Sequence, residues 1–140
     1  MSETPLDLAV RALRVRDRSA HELDERLARA GVSPEERAET LASLERMGYV
    51  DDARLAAARA ETLAARGYGD AAIRTDLERR GIAEEPCEAA LAALAPEAER
   101  ARELAERRGA TVRTARRLVA KGFSPEAVEA AVGLVGEESI

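Results

Sequence analysis

Few residues of this sequence could carry out chemistry. His21 is the only histidine and Cys87 the only cysteine. Neither a cysteine nor a second histidine can complete a site with His21, so it has no partner for acid–base or nucleophilic catalysis. One cysteine can form neither an internal disulfide nor a cysteine-built zinc site. We therefore interpret His21 as a solvated surface residue and Cys87 as a small packing residue.

Two short segments resemble functional motifs. Asp51 and Asp52 form an acidic pair, but no further acids cluster at the spacing of metal ligands, so we expect helix capping. The segment Gly67-Tyr68-Gly69 lacks the preceding strand and the Gly-Lys-Ser/Thr ending of a phosphate loop. The sequence therefore predicts no catalytic residue, no metal and no cofactor, and we expect that the protein is not an enzyme.

Positive charge is concentrated in two places, although the net charge is −5. The first cluster surrounds Asp17 and comprises Arg11, Arg14, Arg16 and Arg18. The second has no acid within it and comprises Arg107, Arg108, Arg113, Arg116, Arg117 and Lys121. The spacing of its last four members predicts a single cationic ridge on one helix. Such a ridge binds an acidic partner or a phosphate backbone, or is simply a solvated face.

The candidate contact residues for a partner or DNA add three positions in the middle of the chain to these clusters. In chain order they are Arg14, Arg16, Arg18, Arg66, Tyr68, Arg74, Arg113, Arg116, Arg117 and Lys121. Between them, residues 51–99 carry more acids than bases. This charge polarity suits a protein partner with its own charge pattern better than a plain DNA backbone.

Helices must position these residues. Ala, Leu, Glu and Arg dominate, and only two Tyr and one Phe are aromatic, so the predicted class is all-α. Gly48 and Gly67 are expected to end helices in left-handed conformation. Asp51 or Asp52, and then Asp70, are expected to cap the next helices. The tyrosine after each glycine is predicted to pack over the helix junction with its hydroxyl in water.

Further signals mark other helix starts and one apolar stripe. Pro5 is expected in the opening turn of a first helix, whose inward stripe is Leu6, Val10 and Leu13. Ser19 with Glu22 is predicted to form a capping box. Further starts are expected at Ser33-Pro34-Glu35-Glu36, where a returning Glu completes the cap, at Thr111 and at Ser124-Pro125-Glu126.

An internal repeat becomes visible when Gly31, Gly81 and Gly122 are aligned. Apolar residues then recur at five matched positions, with Val135 as the last member, and one further position holds Thr114 where the other registers have Leu23 and Ile73. Units of about 40 residues cannot bury a sufficient core alone and stack on their neighbours. We predict about nine helices in an elongated array of three tandem three-helix repeats, at residues 5–48, 51–94 and 96–135.

Nothing in the sequence indicates export or membrane insertion. No signal-peptide pattern is present, and no segment approaches the roughly 20 apolar residues of a membrane span. We expect a cytoplasmic protein without membrane contact, and a monomer.

The chain resembles the RecX family of bacterial regulatory proteins over about residues 8–135. The resemblance is carried by five segments in the family's order: Asp17-Arg18-Ser19 with Glu22-Leu23 and Leu27; Gly48-Tyr49-Val50-Asp51-Asp52; Gly67-Tyr68-Gly69 with Ile73 and Leu77; Arg80-Gly81-Ile82; and Lys121-Gly122-Phe123-Ser124. Two departures are Leu55, where the family usually has an aromatic residue, and Asp70-Ala71-Ala72, where it usually has proline and basic residues.

The resemblance implies an elongated, curved protein that lodges in the groove of the RecA–single-stranded DNA filament. It implies inhibition or modulation of the recombinase, ATPase and co-protease activities of RecA in homologous recombination, DNA repair and the SOS response, without catalysis by the protein itself. Separately, we expect at most weak direct DNA binding. Two alternatives stay open from the residues alone. One is a helix-turn-helix DNA-binding regulator, and the other is a helical-repeat adaptor for another protein.

Overall fold

The computed structural model describes residues 3–133, and these residues form nine α-helices and no strand. The first repeat contains α1 (Pro5–Val15), α2 (Ala20–Arg29) and α3 (Pro34–Arg46). The second contains α4 (Asp52–Ala65), α5 (Asp70–Arg79) and α6 (Glu84–Ala92), and the third contains α7 (Glu97–Arg108), α8 (Val112–Ala120) and α9 (Pro125–Val132). The predicted all-α class with three tandem repeats is confirmed. The exact repeat bounds stay a prediction, and 134–135 lie outside the described residues.

The glycines of the repeat alignment end the second helix of each repeat. Gly31, Gly81 and Gly122 have φ of +85°, +76° and +91°. The residue after each glycine donates its amide to the carbonyl of the leucine four residues before that glycine. The N···O distances are 3.1 Å for Val32–Leu27, 3.2 Å for Ile82–Leu77 and 3.0 Å for Phe123–Leu118. An apolar pair at these two positions accompanies this type of helix end. The aligned leucines and their partners are therefore the contacts that terminate α2, α5 and α8.

Most predicted helix starts are present, with two corrections. Thr4, Ser19, Asp51, Thr111 and Ser124 each cap a helix by accepting a backbone N–H. Asp70, in contrast, is not an N-cap: Gly69 occupies that position without a side-chain bond, and Asp70 is the first residue of α5. At Ser33 the cap is present, but Glu36 accepts from the Ser33 hydroxyl rather than from its N–H.

Each repeat has its own apolar core. In the first repeat, α1 contributes the small residues Ala9 and Ala12 to a core shared with Leu23 and Leu44. Leu6 is 38% exposed, so the predicted stripe of α1 was wrong at Leu6. Val10 and Leu13 are partly buried against that core. Cys87 is buried in the core of the second repeat, as the packing interpretation expects, and burial raises the pKa of its thiol. Thr114 is buried at the place of Leu23 and Ile73.

Neighbouring repeats meet end to end through their second helices. At the first joint (Ser19–Glu22 of α2 against Arg80–Gly81 after α5), the Ser19 hydroxyl donates to the Arg80 carbonyl. The Ala20 amide donates to Asp52 Oδ1, 2.9 Å away at the first residue of α4. A Cβ on Gly81 would collide with the His21 ring, so this α2 start lies directly on the end of α5.

The second joint (Gly69–Ala72 of α5 against Lys121–Gly122 after α8) repeats this geometry one unit further along. The Gly69 amide donates to the Lys121 carbonyl over 2.8 Å, and the Ala71 amide donates to the Gly122 carbonyl over 3.2 Å. The Asp70 amide donates to Glu97 Oε2, 2.7 Å away at the first residue of α7. Helices α2, α5 and α8 therefore follow one another, each start on the next end, which produces a tandem and elongated arrangement.

None of the helices within residues 3–133 combines the length and the apolarity that crossing a lipid bilayer requires.

Candidate functional site

Three adjoining depressions form one groove, called the basic groove below, across the second and third repeats. The first has a volume of about 470 Å³ and is lined by α4 and α5, with Arg59, Arg66 and Arg79 among its walls. Arg66 also lines a narrow second depression between α4, α7 and α8. Arg108 and Arg117 line both this passage and the third depression, of about 610 Å³. Because neighbouring depressions share arginines, they lie side by side across the second joint.

Most cations of the basic groove have no carboxylate partner. Within residues 3–133, no ion pair is formed by Arg66, Arg79, Arg108, Arg113, Arg117 or Lys121. Arg59 is different, since it donates to both oxygens of Asp76 over 3.0 and 3.1 Å, and this hydrogen bonding raises its pKa. Unpaired guanidinium groups keep their full hydrogen-bonding capacity for an anionic ligand.

Tyr68 and Lys121 meet where the groove crosses the second joint. Tyr68 packs against the core of the second repeat, and the Lys121 Nζ lies 3.8 Å from the centroid of its ring. This is a close cation–π contact between two repeats. The predicted packing of a tyrosine over a helix junction is therefore present at Tyr68. At Tyr49 it was wrong, because that side chain is 55% exposed.

The predicted cationic ridge on α8 is divided between two faces. Arg113 and Arg117 line the basic groove, and Lys121 follows on the same side. Arg116 instead lines a separate apolar depression with Val112 and Val119. Successive helix residues turn by about 100°, so position 116 falls on the opposite side of position 113 from positions 117 and 121. Three of the four predicted ridge residues thus share one surface.

The other candidate residues lie away from the basic groove. Arg74 is held by Glu88 through two hydrogen bonds of 2.8 and 2.9 Å, which raise the pKa of Arg74. In the first repeat, Arg16 lies 3.5 Å from Glu22. Arg18 donates to the Ala12 carbonyl, and burial lowers its pKa, with the charge of Arg16 adding to the effect. Arg14 is exposed on α1. The structure does not bring these four residues together with the groove.

Three groove residues were missing from the predicted candidates. Arg59 lies on α4 and Arg66, its C-cap residue, follows seven positions later, a spacing of two turns that places both on one face. That spacing could have revealed Arg59. Arg108 had been included in the basic cluster but not among the candidates. For Arg79 the sequence carries no clear signal, because its position in the groove depends on how α5 packs against α4.

Residues that could support catalysis are dispersed. His21 is half-exposed at the first joint, with its Nε2 3.4 Å from Glu25. No group of three or more His, Cys, Asp or Glu side chains that could hold a metal is present in the described part of the chain. The best-defined chemical feature is the basic groove, whose arginines can bind phosphate or carboxylate oxygens.

These features define the class of the molecule. It is a tandem three-helix-repeat protein that presents a positively charged groove across the joint between its second and third repeats. A family model described as "RecX, second three-helix domain" matches residues 51–91. The Regulatory protein RecX of Xanthomonas axonopodis pv. citri (strain 306) is 34% identical over 139 residues, covering 92% of this chain and 86% of that protein. The chain belongs to the RecX family of regulatory proteins.

Other relatives match over a shorter part. The Regulatory protein RecX of Escherichia fergusonii is 40% identical over 96 residues, which span 61% of this chain and 58% of that protein. That of Chromohalobacter salexigens is 39% identical over 94 residues, which span 67% of this chain and 62% of that protein. The match therefore spans about three fifths of the length of these two relatives.

Two solved structures have the same architecture. The crystal structure of RecX from Lactobacillus salivarius superposes with a TM-score of 0.79 at 19% identity, covering 97% of this chain and 96% of that one. A crystal structure of regulatory protein RecX gives a TM-score of 0.75 at 25% identity, covering 89% and 69%. The first likeness concerns the fold alone.

Proposed function

We propose that this protein binds the RecA–single-stranded DNA filament and restrains the recombinase, ATPase and co-protease activities of RecA, without catalysis of its own. The setting would be recombination, DNA repair and the SOS response in the cytoplasm. Membership of the RecX family, over nearly the full length of the Xanthomonas relative, is the observation that carries the proposal. The name regulatory protein supports a partner-directed role.

The shape and charge of the chain are consistent with such a partner. Tandem repeats offer an extended surface rather than a closed pocket, which suits a long groove on a polymer. The basic groove lies on the second and third repeats, whereas the exposed residues Glu84 and Glu85 make the first turn of α6 acidic. A filament that presents both protein and DNA offers complementary sites for both charges.

Binding can be measured by fluorescence anisotropy of the labelled protein near physiological salt. The titrants are RecA-coated single-stranded DNA, naked single-stranded DNA and free RecA. Preferential binding to the coated strand is the expected result. A protein that binds naked DNA alone, or none of the three, would contradict the proposal. In parallel, ATP hydrolysis by the filament should fall as the protein is added.

Charge reversal tests whether the basic groove contributes to filament binding. We expect the double variant Arg113→Glu and Arg117→Glu to weaken binding while helicity stays unchanged. A matched control is the double variant Arg26→Glu and Arg29→Glu, two exposed residues of α2 that form no ion pair among the described residues. Equal losses in both variants would mean that only net charge matters.

A further inference from the structure

We propose that the basic groove binds single-stranded nucleic acid, and that Lys121 and Tyr68 act together in this binding. Lys121 leaves the tyrosine ring to pair with a phosphate, and the uncovered ring then stacks with a base. The inference deepens the proposed function and rests on it for the choice of single-stranded DNA as ligand. Its test contains no RecA, so the two proposals can fail separately.

Phosphate binding follows from the charges that line the groove. Arg66, Arg108 and Arg117 line the narrow passage together with Lys121, and none of the four is paired with a carboxylate in the described residues. Four unpaired cations that line one depression attract the phosphates of a nucleic-acid strand. Since the whole chain has a net charge of −5, this attraction is local to the groove.

Base stacking follows from the position of Tyr68. Its side chain lines the depression next to the narrow passage and is fixed from behind by the core of the second repeat. The Lys121 ammonium covers the ring, and both residues are partly buried. Stacking of a base on the ring and pairing of Lys121 with a phosphate would replace this one contact with two. Exchange of the ammonium for a base, with a phosphate as the new partner of Lys121, is therefore favourable.

The ring also distinguishes the ligand class. Carboxylates of an acidic protein segment could pair with the arginines but would leave Tyr68 unused. A base within a duplex is already stacked, so only a single strand can offer one to the ring at low cost. The geometry therefore favours a single-stranded nucleic acid over an acidic peptide and over a duplex.

The chain supplies a site-specific chemical probe, because Lys121 is its only lysine. An amine-acylating reagent will modify its ε-amine, and mass spectrometry will follow this against the α-amine of the same chain as internal reference. The titrants are a short oligothymidylate, an abasic oligomer of equal length, a duplex of equal length and polyglutamate. Protection of Lys121 by both single-stranded oligomers, at lower concentrations than the duplex or polyglutamate requires, is expected. No protection, or equal protection by polyglutamate, would overturn the proposal.

Intrinsic fluorescence tests the stacking step. The chain has no Trp and two Tyr, so Tyr68 is the only fluorophore of the Tyr49→Phe variant. We expect the base-bearing oligomer to quench its emission at saturation and the abasic oligomer to leave it nearly unchanged, after correction for absorption with free N-acetyltyrosinamide. Equal emission with both oligomers would show that no base contacts the ring and would overturn the stacking step.

Two variants complete the test. Tyr68→Leu keeps an apolar side chain against the core, and its helicity verifies folding; it should lose the preference for the base-bearing oligomer, at least about fivefold in Kd. Lys121→Gln should weaken the binding of both oligomers to a similar extent, because it removes a phosphate contact. Arg116→Gln, on the same helix but outside the groove, is the matched control and should bind as the unchanged protein does. Unchanged binding by Lys121→Gln would overturn the role of Lys121.

Discussion

The two joints between repeats use the same geometry with different atoms. In both joints, the start of the second helix of one repeat lies against the end of the second helix of the following repeat. In both, an acid at the first residue of the following repeat, Asp52 or Glu97, accepts the amide of Ala20 or Asp70. At the first joint the bond to the helix end comes from a side chain, the Ser19 hydroxyl. At the second it comes from the backbone amide of Gly69.

This difference determines how closely the helices approach. A Cβ on Gly69 would lie 2.6 Å from the carbonyl oxygen of Gly122, so the two backbones touch. At the first joint a Cβ on Gly81 would overlap Cγ, Cβ and Cδ2 of His21, so it would meet side-chain atoms rather than another backbone. The second joint also contains the ion pair Asp70–Arg100, with 2.7 Å between Oδ1 and the nearer guanidinium nitrogen. We infer that the second joint is the stiffer of the two and that it holds the basic groove in shape.

The largest expected effect is at Gly122. Its φ of +91° disfavours any Cβ, and a Cβ there would also lie 2.7 Å from the backbone nitrogen of Ala72. Left-handed strain and overpacking together should cost about 2–5 kcal/mol in the free energy of unfolding of Gly122→Ala. Urea denaturation followed by circular dichroism measures this cost.

Gly31 provides the matched control for that experiment. It has the equivalent position in the first repeat and φ of +85°, but a Cβ there would have no neighbour within 4 Å. Gly31→Ala should therefore cost only the left-handed strain, about 1–2 kcal/mol. Similar losses in the two variants would mean that the second joint is not closely packed.

The next largest expected effect is a difference in stability cost between the replacement of Glu97 and the replacement of Asp52. Glu97 accepts two amides, from Asp70 at 2.7 Å and from Ser124 at 3.3 Å, whereas Asp52 accepts one amide from the preceding repeat. Both acids are the first residue of their helix, so their interaction with the helix dipole is lost equally. Glu97→Ala should cost about 1–3 kcal/mol and should exceed the cost of Asp52→Ala. The reverse order in thermal or urea denaturation would contradict the comparison.

The sequence predicts the repeats well because their signals are local. A glycine, the apolar residue after it and the leucine four residues before it form one capping contact, so Leu77, Gly81 and Ile82 announce the end of α5 without knowledge of the rest. The joints could not be predicted in this way. Aspartate is a preferred N-cap residue, yet the carboxylate of Asp70 binds Arg100, thirty residues away. Capping propensity contains no information about such a distant partner.

The candidate site was predicted in part for the same reason. The spacing of Arg113, Arg117 and Lys121 on one helix indicated a shared surface, and the structure places them together. That Arg66 and Tyr68 join them depends on the second joint, which brings the end of α4 to the end of α8. The sequence suggested both as contact residues but not their proximity to Lys121. The roles of all these residues in binding stay a prediction.

Acidification should weaken the contribution of Asp76 at the first joint to stability and strengthen that of Asp70 at the second. Asp76 lies beside Arg80, whose guanidinium reaches Glu22 across the first joint at 4.0 Å. Burial works against the charge of Asp76, but hydrogen bonds from Arg59 and Arg80 outweigh it and lower its pKa. Burial raises the pKa of Asp70 despite Arg100. The stability that Asp76 contributes is thus present above its unfolded pKa and lost as the pH falls through its lower folded pKa. The stability that Asp70 contributes is present below its unfolded pKa and lost as the pH rises through its higher folded pKa.

Melting temperatures between about pH 6 and about pH 3 measure these contributions. On acidification, the advantage of the unchanged protein over Asp76→Asn should shrink, and its stability relative to Asp70→Asn should grow. Parallel curves for the unchanged protein and both variants would show that neither carboxylate has a different pKa in the folded and unfolded states.

The smallest effect tests the tolerance of the first joint. Gly81→Ala introduces a Cβ that overlaps Cγ, Cβ and Cδ2 of His21, in addition to the strain of φ +76°. The half-exposed ring can rotate towards water but the His21 Cβ cannot, so rotation relieves only part of the overlap. We expect a coupling energy of about 0.5–1 kcal/mol between Gly81→Ala and His21→Ala, which removes the ring and keeps the Cβ, in a double-mutant cycle by urea denaturation. In the cycle between Gly122→Ala and Ala72→Gly the backbone nitrogen of residue 72 stays in the way, so most of the cost of Gly122→Ala should remain. A coupling energy of several kcal/mol at the first joint would show that the ring cannot move aside.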